Sequence, residues 1–347
     1  FLMHERLQGE KSFWYPFIKV LPDPTTICKW SRKQLNELQD PALCKAADDK
    51  WSHFRVQYIR LFSRLRSRFP DEFPEELYTE SLFRWAILTV AARAFGRRLE
   101  WMALVPFADN LNHGNVATKY DFDVGGNGVF RLFPTGTNSY LKGREVFNSY
   151  GRRDNAHLLL HYGFAMLDNE HDHVPMFVEM FERAPSVDAR LKLLRYVNIR
   201  KRELFKLDRK HFEWGVLVFH RVAVLSSRKA RELSETIDDS IDRGNNFMRK
   251  PLSLEVEASA LRSTMRYCRT FLVNHFDTTE KQDMKLLENK DLTMESRQAV
   301  VYRVTRKRIV RVYLETLQSM LNYVESLMEE EEEKKKNRKS LEHHKNA

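Results

Sequence analysis

The sequence predicts an α+β protein: a strand-containing core with a helical insertion, followed by an all-α domain. Between Leu104 and Phe147 the chain consists of short segments and turns. There Gly125, Gly126 and Gly128 separate Tyr120–Val124 from Val129–Phe133 in the pattern of a hairpin. Apolar residues recur at helical spacing on both sides, across residues 25–94 and again from Asn155 to Met328. With 347 residues, 42% of them hydrophobic, the chain is long enough for two domains with real cores.

The opening residues 1–22 are aromatic-rich (Phe13, Trp14, Tyr15, Phe17) and end at a Pro-Asp-Pro turn. Residues 25–80 are mostly charged and helix-like. Phe54, Tyr58, Leu61, Phe62 and Leu65 form a stripe across His53–Arg68, and Pro70 and Pro74 then break the helix. Thr79 is placed to cap an amphipathic helix running to about Ala94, with Leu82, Trp85, Ala86, Leu88 and Ala92 among its apolar positions. Glu145–Tyr150 reads as another short strand, ending at Gly151. Beyond Asn155, helical periodicity is clearest over Arg190–Leu204, Leu254–Asn274 and Ser296–Leu327. Glu329–Ala347, five glutamates followed by lysines, has no apolar face and reads as a solvated helix end or a disordered tail.

Composition narrows the function classes. Lys+Arg number 58 against 48 Asp+Glu, a formal charge of +10, but the basic residues are interleaved with acids. The one dense run, Arg303, Arg306, Lys307, Arg308 and Arg311, lies in a helical segment and is expected to be a solvated helix face rather than a nucleic-acid footprint. Cys28, Cys44 and Cys268 form no C-x-x-C pair, which excludes a disulfide scaffold and a cysteine-bound zinc cluster and suits a reducing compartment. The longest apolar stretches, such as Trp85–Ala92, fall short of the ~20 residues of a membrane span. His157 and His161 have the i, i+4 spacing of a metal pair but lack an intervening Glu and an evident third ligand, so no metal is expected. No G-x-S-x-G, P-loop or dinucleotide fingerprint occurs.

Three segments carry the chemistry: Arg84-Trp-Ala-Ile-Leu-Thr-Val-Ala-Ala-Arg-Ala-Phe-Gly-Arg97, Leu104-Val-Pro-Phe-Ala-Asp-Asn-Leu-Asn-His113 and Phe147-Asn-Ser-Tyr-Gly-Arg-Arg-Asp-Asn-Ala-His-Leu-Leu-Leu-His-Tyr-Gly-Phe164. In order and spacing they resemble the SET-domain protein methyltransferases of the Rubisco large-subunit methyltransferase (LSMT) class. Lys11-Ser-Phe-Trp-Tyr-Pro16 and the C-terminal stretches Leu254–Asp283 and Tyr302–Leu327 extend the resemblance over nearly the whole chain. It implies a β-rich SET core (1–22 and 84–165), a helical insertion within it (23–83), a helical substrate-binding domain (166–328) and a charged tail (329–347). The family's first SET strands, with their Gly-rich cofactor loop, have no counterpart here, so the chain is expected to be an N-terminally shortened part of such a protein.

The activity implied is methyl transfer from S-adenosylmethionine (SAM) to a lysine side chain of a protein docked by the helical domain. A histidine-directed methyltransferase and a non-catalytic SET-fold binding module are the alternatives. By resemblance Arg93 holds the SAM carboxylate, Asn112 and His113 contact adenine and neighbouring groups, and Phe164 stacks on adenine. Tyr150, ending a strand at a glycine, is the catalytic centre and also touches the cofactor. Read alone, Asn-His-Gly is a turn, Arg93 a solvated helix arginine, and Phe164 and Tyr150 core residues. Phe95, Arg97, Ala108, Tyr120 and Tyr162 are the substrate-pocket candidates. Lysine-directed relatives resemble this chain in having Phe and Ala at positions 95 and 108, where the actin-histidine enzyme has Asn and Trp. Asp109 is expected to orient a turn rather than serve as a base. The attacking nitrogen must be neutral, and deprotonating lysine at pH 7 costs roughly 4–5 kcal/mol, a cost lowered by burial beside a sulfonium cation. The protein is expected to be an intracellular monomer that binds neither membrane nor metal, with cytoplasm, nucleus and plastid not distinguished. Its basic balance suits a helical domain that docks an acidic protein surface.

Overall fold

The computed structural model describes residues 1–96, 101–122, 128–136, 140–237 and 250–345. The chain divides into two compact units, Phe1–His171 with Asp283–Arg303, and Asp172–Gln282 with Val304–Ala347.

The first unit begins with two short helices, α1 (Leu2–Gln8) and α2 (Tyr15–Val20). α3 (Arg32–Glu37) starts at a capping box between Ser31 and Gln34. α4 (Pro41–Arg68) starts where the Asp40 carboxylate accepts the Leu43 N–H, with Pro41 preset for the first helical position, and stops at Phe69 ahead of Pro70. Its stripe, Tyr58 and Phe62, packs with Leu2, Ile18 and Ala86. α5 (Glu80–Arg93) is capped by Thr79, whose hydroxyl accepts the Leu82 N–H. The antiparallel hairpin β1 (Thr118–Phe122) and β2 (Phe130–Pro134) pairs Tyr120 with Leu132; Gly125 and Gly126 of the expected turn lie outside the described residues. α6 (Asn155–Tyr162), capped by Asp154, ends at Gly163, where φ is +86°.

Two expectations for this unit change. Glu145–Tyr150 forms no strand. Only Asn148 is bridged, in parallel, to His113, because side chains take the neighbouring backbone donors: the Ser149 N–H goes to Thr118 Oγ1 and the Tyr150 N–H to His113 Nδ1. Among the described residues the strands of this unit are also few, one hairpin and two isolated bridges in a mainly helical unit.

In the second unit, residues read as helical contain a further hairpin, β3 (Val174–Glu179) and β4. α7 (Val187–Tyr196) stops short of the expected Leu204: Asn198 turns into the left-handed region at φ +59°, and Arg202–Leu207 pairs as β4 against β3. Alternation along β3, with Val174, Met176 and Val178 buried, is the strand signal that helical periodicity hid. α8 (Trp214–Val224), α9 (Ser227–Glu235) and α10 (Leu254–His275) follow. Fully buried Arg221 on α8 makes a bidentate pair with Glu257 on α10, at 2.6 and 2.7 Å.

α11 (Glu280–Leu287) and α12 (Met294–Lys345) complete the chain. The division expected at residue 166 assigns all that follows to the helical domain, yet Asp283–Arg303 packs with the first unit. Ala299, Val301 and Tyr302 enter a core with Ile27, Leu38 and Leu159, and the Tyr302 hydroxyl bonds Asp40 at 2.6 Å. The basic run on α12 is not a solvated face. Arg303, Arg306 and Lys307 are buried; Arg303 pairs with buried Asp283 at 2.8 Å, Lys307 bonds Thr278 at 2.9 Å, and Arg308 and Arg311 share Glu280. Burial of Arg303 follows because Asp283 on α11 supplies the partner a buried cation needs. Residues 329–338 are an exposed end of α12.

Candidate active site

α5 ends at Arg93 because Ala94 turns extended (φ −72°, ψ 136°). Phe95 and Ala103 then exchange both backbone hydrogen bonds at 2.8 Å. Downstream, Phe107 is in the left-handed region at φ +69°, opening a single 3-10 turn over Ala108–Asn110. This turn is clasped by Arg93: its Nη1 donates to the Asp109 carbonyl (3.0 Å), Asp109 Oδ2 (3.2 Å) and Asn110 Oδ1 (3.1 Å). Burial raises the Asp109 carboxyl above its usual range while Arg93 opposes the shift. Asp109 therefore fixes the turn, as expected of it.

The second and third segments cross at Asn148. Its N–H bonds the Asn112 carbonyl (2.8 Å), its carbonyl accepts the Gly114 N–H (3.0 Å), and its Oδ1 accepts the Thr118 hydroxyl (3.0 Å). The crossing delivers Tyr150. The Tyr150 N–H donates to His113 Nδ1 (3.1 Å), the two rings stack with centroids 5.1 Å apart, and the Tyr150 hydroxyl donates to the Leu111 carbonyl at 2.8 Å. Since Nδ1 accepts, the imidazole proton sits on Nε2, which is buried with no partner among the described residues. Burial pushes the His113 pKa down and the Tyr150 and Tyr162 pKa values up, so imidazole and phenols are neutral at pH 7.

Arg93, Phe95, Ala108, Tyr120, Tyr150 and Tyr162 line one cavity of about 250 Å³, with Asn148 and Arg153. Phe95 packs edge-on against Tyr120, and Tyr162 lies 4.8 Å from Tyr150. His113 and Phe164 stand behind Tyr150 rather than on the cavity wall, with Phe164 6.1 Å from His113 and 6.4 Å from Tyr150. Asn112 is turned outward, its amide bonding Glu145 at 2.7 Å. Arg97 lies outside the described residues. Sequence reasoning missed the Leu111 carbonyl, which carries no side-chain signature, and the role of Asn148, two residues before Tyr150. A larger, largely apolar cavity of about 580 Å³ among α1, α2, α4 and α5 has His4, Tyr78 and Trp14 as the side chains in its lining with polar N or O atoms, the first two bonded to each other at 2.9 Å.

His157 and His161 stack at 4.2 Å, and Lys50 Nζ lies 3.1 Å from His161 Nδ1. Among the described residues no group of three or more His, Cys, Asp or Glu is placed to hold a metal ion. No described helix is long and apolar enough to cross a membrane.

Solved structures of Rubisco LSMT share the fold of this chain. The SET domain of LSMT bound to lysine and AdoHcy matches with a TM-score of 0.68 at 23% identity, covering 94% of this chain and 75% of that one. LSMT bound to sinefungin and monomethyllysine gives the same TM-score and covers 74% of that chain. The chain has the SET-domain fold of these structures. Residues 182–310 match the Rubisco LSMT substrate-binding family. The SET-fold chain is 26% identical, over 90% of its length, to the chloroplastic [fructose-bisphosphate aldolase]-lysine N-methyltransferase of Arabidopsis thaliana. It is 24% identical, over 92% of its length, to the actin-histidine N-methyltransferase of Homo sapiens. It spans 65% and 55% of those two relatives.

Proposed function

We propose that this chain forms a SAM-dependent protein methyltransferase site that modifies a lysine side chain, with Tyr150 at its centre. The observation that carries the reading is the Tyr150 hydroxyl in the 250 Å³ cavity, its proton committed to the Leu111 carbonyl and its ring held by His113. Part of the cavity lining suits SAM: Arg93 offers a guanidinium for a carboxylate, and Tyr120, Tyr150 and Tyr162 an aromatic surround for a sulfonium, whereas Asn112 and Phe164 do not line the cavity. SAM, when bound, supplies a methyl group made electrophilic by that sulfonium.

The chain's own work is positioning. With its proton on Leu111, the Tyr150 oxygen presents lone pairs to a substrate N–H and so orients the amine. As a phenol whose pKa burial has raised, Tyr150 is not the base. Tyr120, Tyr150 and Tyr162 put aromatic rings around a bound amine, and their partial desolvation of it together with the Arg93 charge favours the neutral amine over the ammonium. Phe95 and Ala108 make an apolar wall suited to an aliphatic lysine stem.

Likeness to actin-histidine methyltransferases favours histidine as a second reading. Isotope-labelled SAM incubated with the protein and cell extract, with the label mapped by mass spectrometry, decides between them. Label on lysine Nζ is expected. Label on an imidazole nitrogen supports the second reading, and SAM binding without transfer to any protein supports a non-catalytic module.

A further inference from the structure

We propose that the groove between α10 and α12 binds a short acidic segment of a protein partner, which under the reading above is the methylation substrate. Arg262, Arg266 and Arg269 recur at i, i+4 and i+7 on one face of α10. With Gln318 of α12 they line a cavity of about 570 Å³. Its floor is apolar, formed by buried Met265 and Leu321, and Val273 at its rim is 78% exposed.

The unmatched charge points to the occupant. Arg262 is held by Glu325 of α12. Arg266 and Arg269 have no hydrogen-bond or ion-pair partner among the described residues. Several other basic side chains of this unit have acids beside them: Arg221 has Glu257, Arg228 has Glu232, and Arg308 and Arg311 have Glu280. Two free guanidinium forks over an apolar floor complement carboxylates flanking an aliphatic or aromatic side chain. Glu325 interrupts the basic stripe at one end, so a few acidic residues fit better than the continuous phosphates of a nucleic acid.

A fluorescein-labelled Glu/Leu peptide, titrated with the whole chain and read by anisotropy, tests the groove. We expect the double variant Arg266→Glu/Arg269→Glu to weaken binding about tenfold or more, with its melting temperature unchanged. Glu325→Gln, which releases Arg262, is expected to tighten it. Equal affinity for the parent and double variants overturns the proposal. So does tighter arginine-dependent binding of duplex DNA, or a dimer that the double variant dissociates in sedimentation. With labelled SAM, the double variant is expected to label proteins in extract less while methylating an unstructured lysine peptide as well as the parent does. An equal loss on both overturns the docking role. Arginine-dependent peptide binding in a chain that methylates nothing upholds the groove and removes the methyltransferase reading.

Discussion

The imidazole of His113 lies 5.1 Å from the ring of Tyr150 and accepts that residue's backbone N–H at 3.1 Å, so one residue sets both the ring plane and the backbone of the other. Tyr150 then has a single remaining freedom, its hydroxyl, and the Leu111 carbonyl takes it.

Tyr150→Phe keeps the stacking and removes the oxygen. Methyl transfer should fall by about 10²-fold or more, while stability drops by only about 1 kcal/mol for the lost bond to Leu111. Single-turnover rates and urea denaturation measure the two effects separately.

Phe95→Asn puts an amide into the apolar wall of the cavity. The ratio of kcat/KM for a lysine peptide to that for its histidine counterpart should fall by about tenfold, since a buried amide rewards an imidazole and not a methylene chain.

Removing Arg303 leaves Asp283, whose side chain has no exposure, without its guanidinium partner. Arg303→Met should cost about 3–5 kcal/mol, and adding Asp283→Asn should recover part of it. Chemical denaturation of both variants gives the coupling.

Acid should unfold the protein early. His220 is 8% exposed and burial lowers its pKa to about 4; His161 is lowered similarly, and His113 and His157 shift the same way. Below about pH 6.5 the unfolded histidines bind protons that the folded ones do not. Their contribution is therefore fully present above that pH and is lost on acidification toward 4. For His220 the slope is about 1.4 kcal/mol per pH unit. His220→Gln should flatten the stability profile between pH 6.5 and 4, and a profile with the same slope as the parent would refute this.

The sequence was most informative where local chemistry decides the structure. Thr79 before an apolar stripe, Pro70 after one, and alternation around the glycines near Tyr120 each specify a conformation through nearest neighbours. It was least informative where distant residues decide. Arg303 reads as a solvated arginine until α11 brings Asp283 to it. Glu145–Tyr150 reads as a strand until Thr118 and His113 take its donors. β4 reads as helix because β3, its pairing partner, lies more than a helix away in the chain. Within the site, Arg93, Phe95, Ala108, Tyr120, Tyr150 and Tyr162 were legible as residues, whereas the carbonyl that holds the Tyr150 hydroxyl belongs to the backbone and leaves no mark in the sequence.

The return of Asp283–Arg303 to the first unit has a consequence for biosynthesis. A ribosome releases residues 1–171 well before it makes Ala299, Val301 and Tyr302, so the nascent unit must wait with the pocket around Ile27 and Leu38 unfilled. The second unit, complete only once Val304 and its successors emerge, matures in the same interval. Chains halted before residue 283 should thus be held by chaperones rather than accumulate as a free-standing first unit.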